Sequence, residues 1–132
     1  MTDKTVLSDK TVLVADDDVE ILGLVTRHLR TYEGVRIIEA SDGEEALRMI
    51  RREKPVLVVL DVMMPGMTGW EVCRAIREDD SLDATGVIML TGIGERLNEM
   101  TSPLYGADEY LDKPFEFTGL DEKIALVLDK RG

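Results

Sequence analysis

Short apolar runs alternate along the chain with longer stretches in which apolar residues recur every three or four positions. The runs are TVLVA, VRIIE, VLVVL, GVIML and EYLDK, which begin at residues 11, 35, 56, 86 and 109. Runs of this length predict β-strands, and the stretches between them predict amphipathic helices. The sequence therefore predicts five strands, each followed by a helix.

The predicted helices carry apolar residues at the spacing of a core-facing stripe. The positions are Ile21, Leu22, Val25 and Leu29, then Ala46, Leu47 and Ile50, and finally Leu120, Ile124, Val127 and Leu128. Strands that are apolar on both sides and separated by helices indicate a parallel sheet covered on both faces. The predicted fold class is α/β, with a doubly wound five-stranded parallel sheet.

The length and composition are those of one globular domain, with 132 residues of which 44% are hydrophobic and 33% charged. We assign this domain to residues 9–130. The pentapeptide DKTVL occurs at residues 3–7 and again at 9–13, and only the second copy leads into VADDD. We therefore expect residues 1–8 to form a flexible tail, although the first copy could compete for the strand position.

The charge balance narrows the range of partners. The formal net charge is −11, which would repel a nucleic-acid backbone, so we expect no direct nucleic-acid binding by this chain. No apolar run approaches the roughly 20 residues of a membrane span, and the N-terminus lacks a signal-peptide pattern. We expect a cytoplasmic protein without membrane attachment. The single cysteine, Cys73, is predicted to be a buried structural thiol.

Polar residues end four of the predicted strands. Asp16, Asp17 and Asp18 follow the first strand, Asp61 follows the third, Thr91 follows the fourth, and Lys113 ends the fifth. Ligands of open parallel sheets bind beyond the carboxyl ends of the strands, so these side chains are predicted to converge. Crowded carboxylates raise one another's pKa, and a hard cation such as Mg²⁺ relieves their repulsion.

Each of these residues also has a simpler interpretation. A lone aspartate after a strand caps the next helix at least as often as it takes part in chemistry, and Asp18 is assigned to that role. Thr91 alone is typical of a strand end, and Lys113 alone of a solvated charge. Their occurrence together at matching strand ends favours a functional site.

Four segments, LVADDD, VVLDVMMPGMTG, VIMLTG and GADEYLDKPF, resemble the receiver domain of two-component response regulators, in particular the chemotaxis response regulators. The resemblance extends from residue 11 to about residue 128. It implies a flavodoxin-like fold with strand order 2-1-3-4-5. It also implies that Pro114 follows a cis peptide bond.

The resemblance assigns a role to each residue of the predicted site. Asp61 corresponds to the phosphoacceptor, and Asp16 and Asp17 correspond to the acidic pair that holds Mg²⁺, for which Mn²⁺ is expected to substitute. The remaining assignments are Met63 for a backbone carbonyl ligand of the metal, Thr91 for the switch hydroxyl, Lys113 for the phosphoryl-binding lysine and Tyr110 for the switch aromatic residue.

The implied function is a phosphorylation-dependent signalling switch. A sensor histidine kinase or a phosphotransfer protein would phosphorylate Asp61, and the face formed by the fourth predicted helix, the fifth strand and the fifth helix would then control a partner or an attached output domain. We expect a non-enzymatic phosphoacceptor with intrinsic autophosphorylation, which is a monomer or a weak phosphorylation-dependent dimer. Because Met63 and Ile93 occupy the positions that would orient a hydrolytic water, we expect slow autodephosphorylation.

Two other classes of protein share parts of this pattern. A flavodoxin-type electron carrier needs a first loop whose N–H groups hold a phosphate, and three consecutive aspartates would repel that phosphate. A phosphoaspartyl hydrolase of the haloacid dehalogenase type also uses a strand-end aspartate, but it has a second aspartate two residues later. Here Met63 occupies that position.

Overall fold

A computed structural model describes residues 2–92 and 106–131 of the chain. Its sheet contains five parallel strands in the order 2-1-3-4-5, as the resemblance implied. The strands are β1 (Thr11–Ala15), β2 (Arg36–Ala40), β3 (Leu57–Asp61), β4 (Gly86–Thr91) and β5 (Glu109–Asp112). The predicted strand segments are confirmed to within one residue at each end.

Four helices pack on the sheet in the described part of the chain. They are α1 (Val19–Leu29), α2 (Gly43–Glu53), α3 (Gly69–Arg77) and α4 (Phe117–Arg131), with a single 3-10 turn at Asp80–Leu82. The helix α4 is the fifth predicted helix. The fourth predicted helix, between β4 and β5, lies outside the described residues.

The sheet separates two apolar clusters. Buried residues of α2 and α3 pack on one face, and those of α1 and α4 pack on the other. Every residue of β3 and β4 is buried, which accounts for their uninterrupted apolar sequences. Cys73 belongs to the α2–α3 cluster, and burial raises the pKa of its thiol to about 12, which agrees with a structural role.

The N-terminal segment differs from the flexible tail that we expected for residues 1–8. Leu7 is completely buried in the α1–α4 cluster. The backbone N–H of Glu33 donates to the carbonyl of Lys4 at 2.7 Å, and the ammonium of Lys4 lies 4.2 Å from the centre of the Tyr32 ring. The described part of this segment is attached because Leu7 removes apolar surface from water and the backbone bonds fix its path.

No helix among the residues described is long and apolar enough to span a membrane.

Candidate functional site

Three aspartates meet where β1 and β3 end. These strands are adjacent in the sheet, with Ala15 opposite Leu60, so the residues that follow Ala15 lie beside Asp61. Carboxylate oxygens of Asp16, Asp17 and Asp61 lie within 4.8 Å of one another. Asp16 and Asp61 are buried, whereas Asp17 is exposed.

Lys113, directly after β5, reaches across the end of β4 to these carboxylates. Its ammonium nitrogen lies 2.7 Å from Oδ1 of Asp61 and 3.5 Å from Oδ2 of Asp16. Burial alone would lower the pKa of Lys113, but the contacts with the two carboxylates outweigh burial and raise that pKa. The peptide bond between Lys113 and Pro114 is cis, as the resemblance implied.

One ammonium does not balance the buried negative charge. Burial raises the pKa of Asp16, and repulsion from Asp17 acts in the same direction, despite the hydrogen bond from the backbone N–H of Asp18 and the attraction of Lys113. A raised carboxyl pKa means that the ionised form is poorly stabilised at this position. Hard divalent cations bind such oxygen-rich sites, so the residues present fit Mg²⁺.

The loop after β3 holds Asp61 in place through glycines. Gly66 has a φ of +76°, a conformation that residues with a Cβ rarely adopt. A Cβ at Gly69 would collide with the carbonyl oxygen of Asp61, and the Gly69 N–H donates to the carbonyl of Val62 at 2.7 Å. Thr68 and Glu71 then form a capping box that starts α3. The first turn of α3 is therefore fixed directly against the end of β3.

Asp18 caps α1, as predicted. Its carboxylate accepts hydrogen bonds from the backbone N–H groups of Glu20 and Ile21, at 2.9 and 3.3 Å. The three consecutive aspartates thus have different positions: two line the acidic cluster and the third begins a helix.

The two predicted switch residues lie on neighbouring strands. The hydroxyl of the fully buried Thr91 donates to Oδ1 of Asp112 at 2.7 Å, in line with the strand register. Tyr110 is partly buried, and its ring centre lies 5.9 Å from that of Trp70. Met63 is 55% exposed. Ile93 lies outside the described residues.

Sequence reasoning missed two residues around the site and one at the opposite end of β5. Asp112 was interpreted only as part of a strand, although its position two residues after Tyr110 could have suggested a polar partner for Thr91. Trp70 was assigned no place in the site, and nine residues separate it from Asp61 along the chain. Asp108 forms a buried ion-pair cluster with Arg77 and Arg131, at 3.0 and 2.7 Å, and no local pattern reveals such a long-range pairing.

Comparison with known proteins gives consistent matches over most of the chain. The family described as response regulator receiver domain matches residues 12–125. The ycf27 protein of Pyropia yezoensis is 43% identical over 89% of this chain and 46% of its own length. The alkaline phosphatase synthesis transcriptional regulatory protein PhoP of Bacillus subtilis is 38% identical over 91% of this chain and 49% of its own length. The chain thus spans about half the length of these curated relatives.

A solved receiver domain from Clostridium thermocellum superimposes with a TM-score of 0.82 at 29% identity, covering 92% of this chain and 96% of that one. The alternative of a haloacid dehalogenase type hydrolase finds no support in these matches. Sequence and fold agree, and the chain belongs to the receiver domain family of two-component response regulators, which act in phosphorylation-dependent signalling.

Proposed function

We propose that Asp61 is the phosphoacceptor of this receiver domain. The observation that carries the proposal is the contact of 2.7 Å between its buried carboxylate and Lys113, inside a cluster that also contains Asp16 and Asp17. The Lys113 ammonium is placed to neutralise the negative charge of phosphoryl oxygens that become attached to Asp61. The carboxylates of Asp16 and Asp17 follow β1, which neighbours β3 on the side away from β4. A metal ion could bind them there together with Asp61.

The chemistry is the attack of a carboxylate oxygen of Asp61 on the phosphorus of a phosphohistidine. A P–O bond to Asp61 forms as the P–N bond of the donor breaks, and the donor imidazole leaves with the electron pair. Such transfers depend on positioning and on neutralising the negative charge of the phosphoryl oxygens. Lys113 supplies one fixed positive charge for this purpose.

The residues that would hold Mg²⁺, or Mn²⁺ in its place, are Asp16, Asp17, Asp61 and the backbone carbonyl of Met63. The bound ion would supply the additional positive charge that the phosphoryl oxygens need. Lys113 contacts Asp61 directly, so it could retain this contact with the acceptor carboxylate while the exposed Asp17 helped to hold the metal.

Phosphorylation would change the partners of Thr91. Phosphoryl oxygens are strong acceptors and would compete with Asp112 for the Thr91 hydroxyl, which now donates to Asp112 at 2.7 Å. Movement of Thr91 would alter the space around Tyr110 and hence the face that contains β5 and α4. We propose that this face, together with the predicted fourth helix, controls the output.

We propose a sensor histidine kinase or a phosphotransfer protein as the donor, and a downstream protein or an attached output domain as the target. An attached domain is supported by the length of the relatives, of which this chain spans about half. The net charge of −11 supports the absence of direct nucleic-acid binding by this chain. We further propose a cytoplasmic location, a monomer or weak phosphorylation-dependent dimer, and a folded unit that extends N-terminally beyond residues 9–130 to include Leu7.

The test is phosphorylation of the protein by acetyl phosphate in the presence of Mg²⁺. We expect one hydroxylamine-sensitive phosphoryl group per chain in the wild type and none in Asp61→Asn, because an amide cannot act as the carboxylate nucleophile. Asp112→Asn is the matched control, since it changes a carboxylate of the same edge that the proposal does not use as acceptor. Full labelling of Asp61→Asn would refute the assignment, and sustained turnover of a phosphate ester would favour a hydrolase.

A further inference from the structure

Trp70 lies in the first turn of α3, next to the end of β3, the strand that carries Asp61. It is the second residue of α3 and follows Gly69, which packs against the backbone carbonyl of Asp61. The side chain belongs to the α2–α3 cluster, and only 8% of the residue is exposed. The position of the indole ring is therefore set by the same turn that fixes the end of β3.

The indole ring also contacts the tyrosine assigned to the switch. The centres of the Trp70 and Tyr110 rings are 5.9 Å apart, and the ring planes are tilted by 46°. The contact crosses β4, which lies between β3 and β5 in the sheet. The hydroxyl oxygen of Tyr110 is shielded from solvent, and its ring packs on the same cluster as Trp70. Trp70 thus forms one wall of the space that the Tyr110 ring occupies.

We propose that Trp70 is a positioning residue for Tyr110, which stabilises the inward position of the tyrosine and so connects the first turn of α3 to the output face. This inference rests on the proposed role of Asp61 and Tyr110. It adds a second connection between the acceptor and β5, separate from the one through Thr91. The connection is made by packing of the two aromatic rings.

Thermodynamic linkage gives the direction in which loss of Trp70 should change the affinity for a phosphoryl group. If the inward position of Tyr110 accompanies the occupied acceptor, any contact that favours the inward position also favours binding of a phosphoryl group. Aromatic pairs contribute modestly beyond the area they bury, so loss of the indole should weaken binding of a phosphoryl mimic roughly two- to tenfold. A phenylalanine at the same position keeps a ring and should retain most of the affinity.

The experiment measures the affinity of beryllofluoride by calorimetry in the presence of Mg²⁺. We expect Trp70→Leu and Trp70→Met to bind it two- to tenfold more weakly than the wild type, roughly, and Trp70→Phe to differ by less than about twofold. Ile76→Ala is the matched control, since Ile76 is a buried residue of the same helix about 9 Å further along its axis. That variant should lower the melting temperature and leave the affinity unchanged.

A double-mutant cycle with Tyr110→Leu separates positioning from a general loosening of the core. We expect Trp70→Leu to have no further effect on beryllofluoride affinity once Tyr110 is replaced. An equal loss in both backgrounds, an equal loss in Ile76→Ala, or unchanged affinity in both Trp70→Leu and Trp70→Met would overturn the inference and leave the proposed function intact. Failure of the wild-type protein to bind beryllofluoride would overturn both.

Discussion

Asp16 and Asp17 differ in how far their carboxylate oxygens already have partners within the protein. Asp16 accepts a hydrogen bond from the backbone N–H of Asp18 at 2.9 Å and lies 3.5 Å from the Lys113 ammonium. Asp17 is exposed beside it. The oxygens of Asp16 are therefore partly engaged before any metal binds, whereas those of Asp17 face solvent.

We expect Asp17→Ala to weaken Mg²⁺ binding more than Asp16→Ala. The expected reason is that the exposed Asp17 would offer its carboxylate to the metal directly, while Asp16, already engaged by the Asp18 N–H and Lys113, would act through a bound water. Loss of an outer partner typically reduces metal affinity by about 10- to 100-fold, and loss of a direct ligand should exceed that range. Calorimetric titration with Mg²⁺ measures both. Asp18→Ala serves as control for helix capping, and equal losses in the first two variants would contradict the distinction.

At the scale of the elements, Asp108 joins three parts of the molecule. Its side chain lies just before β5, accepts hydrogen bonds from Arg131 of α4 and Arg77 of α3, and also accepts the Val87 N–H of β4 at 2.9 Å. Burial alone would raise the pKa of Asp108, but these partners outweigh it and lower that pKa. The ionised carboxylate therefore stabilises the fold.

We expect Asp108→Asn to lower the free energy of unfolding by about 3 kcal/mol at pH 7, because the amide leaves two arginines without their counter-charge. Since the folded-state pKa is depressed, the stabilisation is complete above the unfolded-state value of 3.8 and is lost as pH falls through the folded-state pKa. The difference between variant and wild type should thus shrink at low pH in urea unfolding. Asp129→Asn, an exposed change on α4, the helix that carries Arg131, should shift stability by less than about 0.5 kcal/mol. A pH-independent difference would contradict the electrostatic explanation.

The attached N-terminal segment leads to a second expectation for the elements. Leu7→Ala should lower the free energy of unfolding by about 3 kcal/mol, because it leaves a cavity in the α1–α4 cluster. Thr5→Ala is the matched control: Thr5 is exposed in the same segment, and its loss should be almost neutral. Denaturant unfolding measures both variants. If Leu7→Ala were as mild as Thr5→Ala, the segment would be the loose tail expected from the sequence.

The sheet and the strand-end cluster could be predicted because both follow from local patterns. Apolar runs reveal buried strands, and parallel strands bring their carboxyl ends to one edge, which places Asp16 and Asp61 together. The strand order needed the family resemblance. The contact between Trp70 and Tyr110 and the pairing of Asp108 with Arg131 join residues far apart in sequence, so no periodicity indicates them. The burial of Leu7 was missed because the rule for chain termini was given more weight than the apolar side chain itself.

For the whole molecule, phosphorylation adds negative charge to a protein whose net charge is already −11. The attraction that holds the phosphoryl group must therefore come from charges within the site, because the net negative charge of the whole protein favours loss of that group. How long the active state lasts depends on whether water can reach the phosphorus in line with the bond to Asp61.

We expect the side chains of Met63 and Ile93 to limit that access of water. Met63 lies two residues beyond Asp61, and its thioether is a weak hydrogen-bond acceptor, so it cannot hold a water firmly. Ile93, two residues beyond Thr91, has no polar atom in its side chain. We therefore expect the phosphorylated protein to decay slowly without a phosphatase.

The double variant Met63→Asn, Ile93→Glu should lose its phosphoryl group faster, because an amide and a carboxylate can together orient the attacking water. We expect at least about a tenfold increase in the decay rate, which corresponds to about 1.4 kcal/mol of barrier. The measurement is the loss of label from purified phosphorylated protein in Mg²⁺ after removal of the donor. Leu126→Asn is the control: it introduces the same amide at an exposed apolar position on α4, 54% exposed compared with 55% for Met63, and should leave the decay rate unchanged. Decay of the double variant at the wild-type rate would mean that Met63 and Ile93 only pack, and that another feature of the site controls the access of water.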